Sequence, residues 1–434
     1  MKSVHPLRSA ALQLLGCLAL CGGIHHGVST SNAEDWPQFR GPDGQGHASD
    51  RPVATTWSES ENITWKTAIP GRGWSSPVIL GSQIWMTTAT DEGHSLRAIC
   101  VDRATGSLLH DVEVFKIAEP VNLNAKNSHA SPTSVIEPGR LYVHFGTMGT
   151  ACLDTNSGTV LWTNQELKID HKEGPGSSPV LWNEFLIVNC DGMDIQYVAA
   201  LDKHTGKVAW WTWRSGPLDP KNDRQKAYCT PLVIRVGERD QLVSPGADWC
   251  IAYDPLTGGE IWKVHYRGYS TVPRPLFAHG LLYFITGFDK PELIVVRPDG
   301  QGDVTESHVV WRYNKQVPAN PSPIIVGGEI YFVSDQGVCT CLDALTGEDL
   351  WRQRLAGKYS ASPILAGGLV YFSNEDGMTF VLRPGRQYEL LATNQLEGQL
   401  MASPVAVDGE LFLRTDTHLY RIEPKAATAA SAGN

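Results

Sequence analysis

The sequence predicts an all-β protein, an eight-bladed β-propeller of four-stranded blades whose ring an N-terminal strand closes by completing the last blade. Three observations predict it. A small residue followed by Ser-Pro, or a close variant, recurs at Pro77, Pro132, Pro179, Pro231, Pro275, Pro323, Pro363 and Pro404. A β-rich apolar run follows each proline, as in "QIWMTT", "RLYVHF" and "EIYFVS". A closing signature recurs as "DTNSGTVLW", "DKHTGKVAW", "DPLTGGEIW" and "DALTGEDLW". Self-similarity at this period, with turn residues between short strands, marks a propeller rather than two or three unrelated domains.

Each unit reads as strands A to D. Strand A starts at the Ser-Pro, strand B is the apolar run, and strand C ends in the Asp of the closing signature. In that signature Asp caps the backbone two residues on and Gly takes the positive φ of a tight turn. The Trp then lies on strand D, a large body to pack between blades. "DRATGSLLH" is the same hairpin with His110 in the Trp position. The eighth unit supplies A ("SPVAV"), B ("ELFLRT") and C ("HLYRIEP"), and its missing D strand is available as "ENITWKTAIP", with Trp65 in the Trp column. Closure of the ring removes free sheet edges.

The ends and the composition bound the rest. Residues 1–33 read as an export signal: Lys2 and Arg8, the apolar run "AALQLLGCLALC", and small residues ending at Ala33. "LLGC", ending at Cys17, is an imperfect lipoprotein site and gives a weaker reading as a lipid anchor. No later run is long enough to span a membrane. A lead-in arm is expected over 34–60, the propeller over 61–424 and a disordered low-complexity tail over 425–434. The 434-residue chain carries a net charge of −10; loss of the signal removes two positive charges and no negative ones, so the mature chain carries −12. Without a basic face, nucleic acid is not a partner. Nine cysteines fall to seven, an odd number. Cys100, Cys152 and Cys341 occupy one strand C position, which suits small buried hydrophobes rather than disulfides. Cys339 and Cys341 lie about 6.5 Å apart along a strand, which disfavours a bridge.

"LDxxTGxxxW" together with "SPV" resembles the repeat of PQQ-like, quinoprotein alcohol dehydrogenase-like propellers, over residues 61–424. "WPQFRGPDGQG", "VHFGTMGTACLD" and "VSPGAD" are similar to the exported PQQ-like repeat proteins of planctomycetes. The resemblance implies an eight-bladed fold. It also implies either of two roles, since the family includes PQQ-dependent alcohol dehydrogenases and the scaffold lipoprotein of the outer-membrane barrel-assembly machinery, which has no enzyme activity. The enzymes' adjacent Cys-Cys pair is missing here, Cys339-Thr-Cys341 being the nearest thing, and no CxxCH haem site occurs.

Propeller ligands, by analogy of fold, sit near the axis on the face of the D–A connections and B–C loops. The residue before each proline is nearly always Ser or Thr, hence architectural, and Ser131 belongs to that column. Arg274 alone breaks it. The residue three before each proline varies freely, and Trp74, His129 and Tyr228 stand there. Asn127 and Lys226 lie on D–A connections. His144, Asp191, Asp248, Asp289, Asp335 and Asp376 follow strand B. These form a polar face fit for an anionic small molecule, a sugar or a metal. "GSSPV" is not a nucleophile elbow. The expected function is an exported, periplasmic or extracellular, monomeric, non-catalytic binding or scaffold protein for a protein or small-molecule ligand. The alternatives are a quinoprotein-like oxidoreductase using PQQ and Ca²⁺, with Asp191 or Asp248 as base, and a small-molecule or glycan-binding or hydrolytic propeller.

Overall fold

The computed structural model describes residues 34–424. The expected export signal, the Cys17 anchor and the tail over 425–434 lie outside those residues. Within them the chain forms eight sheets, each built of antiparallel neighbours in the order A-B-C-D. The last is completed from the N-terminal side: Ile63–Ala68 pairs antiparallel with His418–Ile422 as strand D of blade 8. No helix among the described residues is long and apolar enough to cross a membrane.

Strands B and C are buried on both faces because each blade is covered by its two neighbours; in blade 1, for example, Ile84 and Val101 on one face and Trp85 and Cys100 on the other are fully buried. The closing hairpin then joins blade to blade. Asp202 Oδ1 accepts the Thr205 amide and hydroxyl, each at 2.8 Å. Gly206 takes φ +71°, and a Cβ there would stand 2.4 Å from the Trp162 ring of the preceding blade. Trp162 also donates its indole N–H to the Lys203 carbonyl at 3.0 Å, and Trp65 makes the same bond to Arg103 at 3.0 Å. Trp65, Trp162, Trp210 and Trp311 are thus lids, each lying on the next blade's Thr-Gly turn. His110 fills the position as a flat ring, stacked on Trp85 at 5.4 Å. The seven cysteines of the described residues are buried free thiols.

One blade departs from the four-strand expectation. The C–D connection of blade 5 is long, and its Gly302–Asp303 pairs in parallel with Glu260–His265, adding a fifth strand to blade 4.

At the axis the hydroxyls before strand A form a ring. Each accepts the backbone N–H of the matching residue in the blade before it: Ser76 to Thr133, Thr133 to Ser178, Ser178 to Thr230, Arg274 to Ser322, Ser322 to Ser362, Ser362 to Ser403, and Ser403 to Ser76, at 2.9–3.1 Å. Blade 2 corrects the sequence register. Its strand A starts at Val135 as that of blade 1 starts at Val78. The ring member is therefore Thr133, with Ser134 in the proline position, and Ser131 moves into the variable column. Pro132 lies two residues too early to mark the strand.

The arm over 34–60 crosses the axis on the A–B side. Trp36 bridges to Ile79 of blade 1, Pro37 accepts the Ile136 amide of blade 2 at 2.9 Å, and His47 bridges to Leu365 of blade 7. Gly44, at φ +72°, lets the arm pass the Arg274 guanidinium, which a Cβ would meet at 2.4 Å.

Thr133→Val strands the buried Ser76 amide and should cost about 1–3 kcal/mol, lowering the urea midpoint. Ser131→Ala, outside the ring, should cost clearly less in the same measurement.

Candidate functional site

A cavity of about 520 Å³ lies on the axis, lined by the ring hydroxyls, by Phe39 of the arm and by the D–A connections. The connections are unequal. Those over 117–134, 165–179 and 214–231 are long, whereas those over 314–323, 355–363 and 396–404 are short. The long ones build a high wall beside blades 1 to 4. Several of their charged groups are paired, with one another or, for Lys126, across to blade 7. Lys172 and Lys226 both reach Asp223 at 2.6 Å, and Lys126 reaches Glu375 at 2.6 Å. The two ammonium groups, Lys172 first, hold the Asp223 carboxyl down to about 2. Asn124 donates to Glu173 at 2.8 Å. Aromatic rings face the space between: Trp74, whose N–H is anchored on the Lys126 carbonyl at 2.9 Å, and Tyr269, packed against Phe288 at 5.8 Å. Tyr228 is 8% exposed, and its hydroxyl has no hydrogen-bond partner among the described residues.

Four residues singled out in the sequence line this cavity: Trp74, Asn127, Lys226 and Tyr228. Asn127 is a wall brace, donating to the Glu173 and Pro175 carbonyls at 2.7 and 3.1 Å and accepting from Ser131 at 2.5 Å. The other six are placed elsewhere. His129 falls out of the lining through the two-residue register shift. Its Nε2 meets the Val121 carbonyl at 2.9 Å, and burial holds its imidazole below the ordinary value. His144 is buried within blade 2, with Nδ1 on the Thr150 hydroxyl at 2.8 Å; burial first, then His171, pushes it down to about 3. Asp191 is a buried structural anion: both its oxygens take Arg214, at 2.5 and 2.7 Å, while burial raises its carboxyl. Asp248, at φ +59°, accepts the Asp219 and Gly268 amides at 3.0 and 3.3 Å. Asp335 accepts the Ala319 amide at 2.6 Å and the Asn320 side chain, and so holds a cavity residue in place. Asp289 and Asp376 are exposed.

Arg274 is a correction of another kind. It does not stand on the open face. It is 2% exposed beneath the ring, donating to the Pro231 carbonyl at 3.2 Å and to the Phe39 carbonyl. Its charge breaks the hydroxyl column because its side chain clamps the arm.

Sequence reasoning missed Phe39, Asn124, Lys126, Lys172, Glu173, Asp223 and Tyr269. They lie in stretches that the repeat does not template. For Asn124, Lys126, Lys172, Glu173 and Asp223 the usable signal is length: three D–A intervals exceed the others.

The donor set does not fit a Ca²⁺–quinone pair. The two carboxylates first suspected as base are held by Arg214 and by backbone amides, and neither lines the cavity. Glu173 and Asp223, which do, are engaged by Asn124 and by two lysines. Among the described residues no three His, Cys, Asp or Glu side chains are arranged to hold a metal ion.

The buried histidines make the fold acid-sensitive. His144 and His171, lowered by burial to about 3 and about 4, are neutral when folded but take up protons in the unfolded chain below about pH 6.5. Their contribution is present above that pH and is lost as pH falls towards 4, by up to about 1.4 kcal/mol per pH unit for each. Urea midpoints measured from pH 7 to 4 should fall, and His144→Gln should flatten the slope.

A family model described as outer membrane protein assembly factor BamB matches residues 97–234 and 246–384. A search of curated protein sequences finds no match. Among solved structures, BamB from Moraxella catarrhalis is similar with a TM-score of 0.58 at 13% identity, over 83% of this chain and 99% of that one. A europium-containing methanol dehydrogenase is similar with a TM-score of 0.64 at 12% identity, over 88% and 89%. Quinohemoprotein alcohol dehydrogenase from Comamonas testosteroni gives 0.62 at 12% identity, over 91% and 81%. At such identities these likenesses show the fold alone. The family match covers more than half of the chain, and the protein belongs to the PQQ-like repeat family described as outer membrane protein assembly factor BamB.

Proposed function

We propose that the protein is an exported, non-catalytic binding propeller that seats a small polar ligand in the axial cavity. The observation that carries this is the cavity itself. It is closed on the A–B side by Phe39, walled by three long D–A connections, and lined by aromatic faces, amides and hydroxyls, with the buried Tyr228 hydroxyl lacking a partner. A volume of about 520 Å³ falls within the range of small-molecule sites. Export is supported by the basic and apolar segments before Ala33. The non-catalytic reading is supported by the commitment of Asp191, Asp248, Glu173 and Asp223 to partners inside the protein.

The family description supports a second role, docking of another protein. The observation that favours it is the pair of exposed indoles on strand D of blade 3, Trp211 and Trp213, 56% and 54% exposed and 5.9 Å apart.

Intrinsic fluorescence titration with a panel of polar metabolites should give saturable binding that Trp74→Ala weakens at least about tenfold, the loss of roughly 1.4 kcal/mol of contact. Trp211→Ser/Trp213→Ser should leave that binding unchanged. Saturable uptake of PQQ with Ca²⁺ and dye-linked alcohol oxidation would overturn the non-catalytic reading.

A further inference from the structure

The seven ring hydroxyls at the cavity floor act only as acceptors. Each receives a neighbouring amide, and none donates its own proton to a group among the described residues. A hydroxyl carries one donor proton besides its lone pairs, and a buried donor left without an acceptor is costly. All seven are buried, at 1–6% exposure, and all line the cavity. A molecule on the floor is therefore met by a circle of O–H protons.

The charge behind the floor has the same sign. Arg40, Arg274 and Arg414 are each no more than 2% exposed. Arg40 donates to the Gln45, Pro323 and Pro363 carbonyls. Arg414 donates to the Ser75 carbonyl and hydroxyl and to the Thr87 carbonyl. Arg274 uses carbonyls and the Gln38 amide oxygen. No carboxylate pairs with any of the three among the described residues. Burial pulls them below their ordinary value, to about 9, about 10 and about 9 for Arg40, Arg274 and Arg414. The rim differs: its lysines each have a carboxylate at 2.6 Å. Arg40 and Arg274 thus place positive charge under the ring and Arg414 places it beside the ring at Ser75, in a low-dielectric setting where it acts strongly. Asp43 of the arm offsets part of the charge of Arg40 and Arg274 without bonding either.

We propose that the cavity floor binds an oxyanion head group, a carboxylate or a phosphate, on the protons of the hydroxyl ring, with the body of the molecule directed towards Trp74 and Tyr228. This deepens the axial-cavity reading and rests on it. Unlike the rim, the floor offers hydroxyl donors and guanidiniums to which no carboxylate is bonded among the described residues.

Calorimetric titration of the mature protein with sodium phosphate, sodium acetate and glucose, at constant ionic strength, tests it. At least one of the two anions should bind one-to-one. Ser178→Ala/Ser362→Ala should weaken that binding about tenfold or more, as expected for loss of hydrogen bonds to a charged group. Lys126→Gln/Lys172→Gln should leave it within about twofold. Should the alanine pair fail to fold, Ser178→Cys, which substitutes a weak donor, replaces it with the same expectation. Absence of binding by both anions overturns the oxyanion assignment, and glucose then shows whether the cavity reading survives: glucose binding that Trp74→Ala weakens leaves it standing. Anion binding that the ring variants leave unchanged, or that the lysine pair abolishes, also overturns the assignment, because the anion then sits on the rim.

Discussion

Everything in this molecule depends on how eight separate sheets are held around one axis. Each blade buries apolar side chains against its neighbours, but such contacts are non-directional and tolerate sliding. The hydroxyl ring is directional. A backbone N–H at the start of each inner strand must find an acceptor once it is buried, and the Ser or Thr of the next blade supplies it. Seven of the eight junctions are bonded this way. The Trp lids on the Thr-Gly turns do the same work at the periphery of four junctions, so those blades are positioned at both their inner and their outer edges. The eighth junction, between blades 4 and 5, lacks the bond because Arg274 stands where the hydroxyl would be. Its guanidinium reaches back to the Pro231 carbonyl of blade 4 and also holds the arm.

The ring has a second consequence. Because each ring hydroxyl accepts an amide and donates to no group among the described residues, the geometry that aligns the blades leaves its O–H proton free for a molecule in the axial space. The architectural element and the candidate ligand contact are the same atoms. A ring of like hydroxyls carries little specificity, and the residues of the cavity that differ from blade to blade lie largely on the long D–A connections of the first blades. A ring built by repetition and a wall built by exception divide the two tasks.

The repeat was legible because it is written in residues with narrow conformational roles: Pro at a strand start, Asp and Gly in a turn, Trp against a glycine. Closure by Ile63–Ala68 was legible for the same reason, since Trp65 completes a column. Blade 2 was misread because "ASPT" imitates the repeat two residues ahead of the true strand start, "TSV", where Ser134 replaces the proline. That shift placed His129 in the cavity and Ser131 in the ring; the structure instead puts Ser131 in the cavity lining and Thr133 in the ring, with His129 in neither. Asp191 was misread for a different reason. Its partner Arg214 lies on the following D–A connection, and no local pattern announces a salt bridge across that distance. Lys172, Asp223 and Tyr269 were not legible at all, because loop residues outside the repeat carry no periodic signal.

The arm explains why the cavity is a well rather than a channel. A propeller axis is open at both ends unless something fills it, and here Phe39 does so from the A–B side. Holding an arm across the buried axis requires that its own polar groups be satisfied. The chain does this with Arg40, which bonds carbonyls of blades 6 and 7, and with Arg274 of blade 5, which bonds the Phe39 carbonyl. Placing two guanidiniums there with no bonded carboxylate, and only Asp43 acting on them from a distance, is unfavourable by itself, since a buried charge needs compensation. The carbonyl dipoles offset part of that cost but not the net charge. A plug held only by amides and hydroxyls would close the axis equally well. The use of arginine leaves a positive floor under a circle of hydroxyl protons, and that combination is more than closure requires.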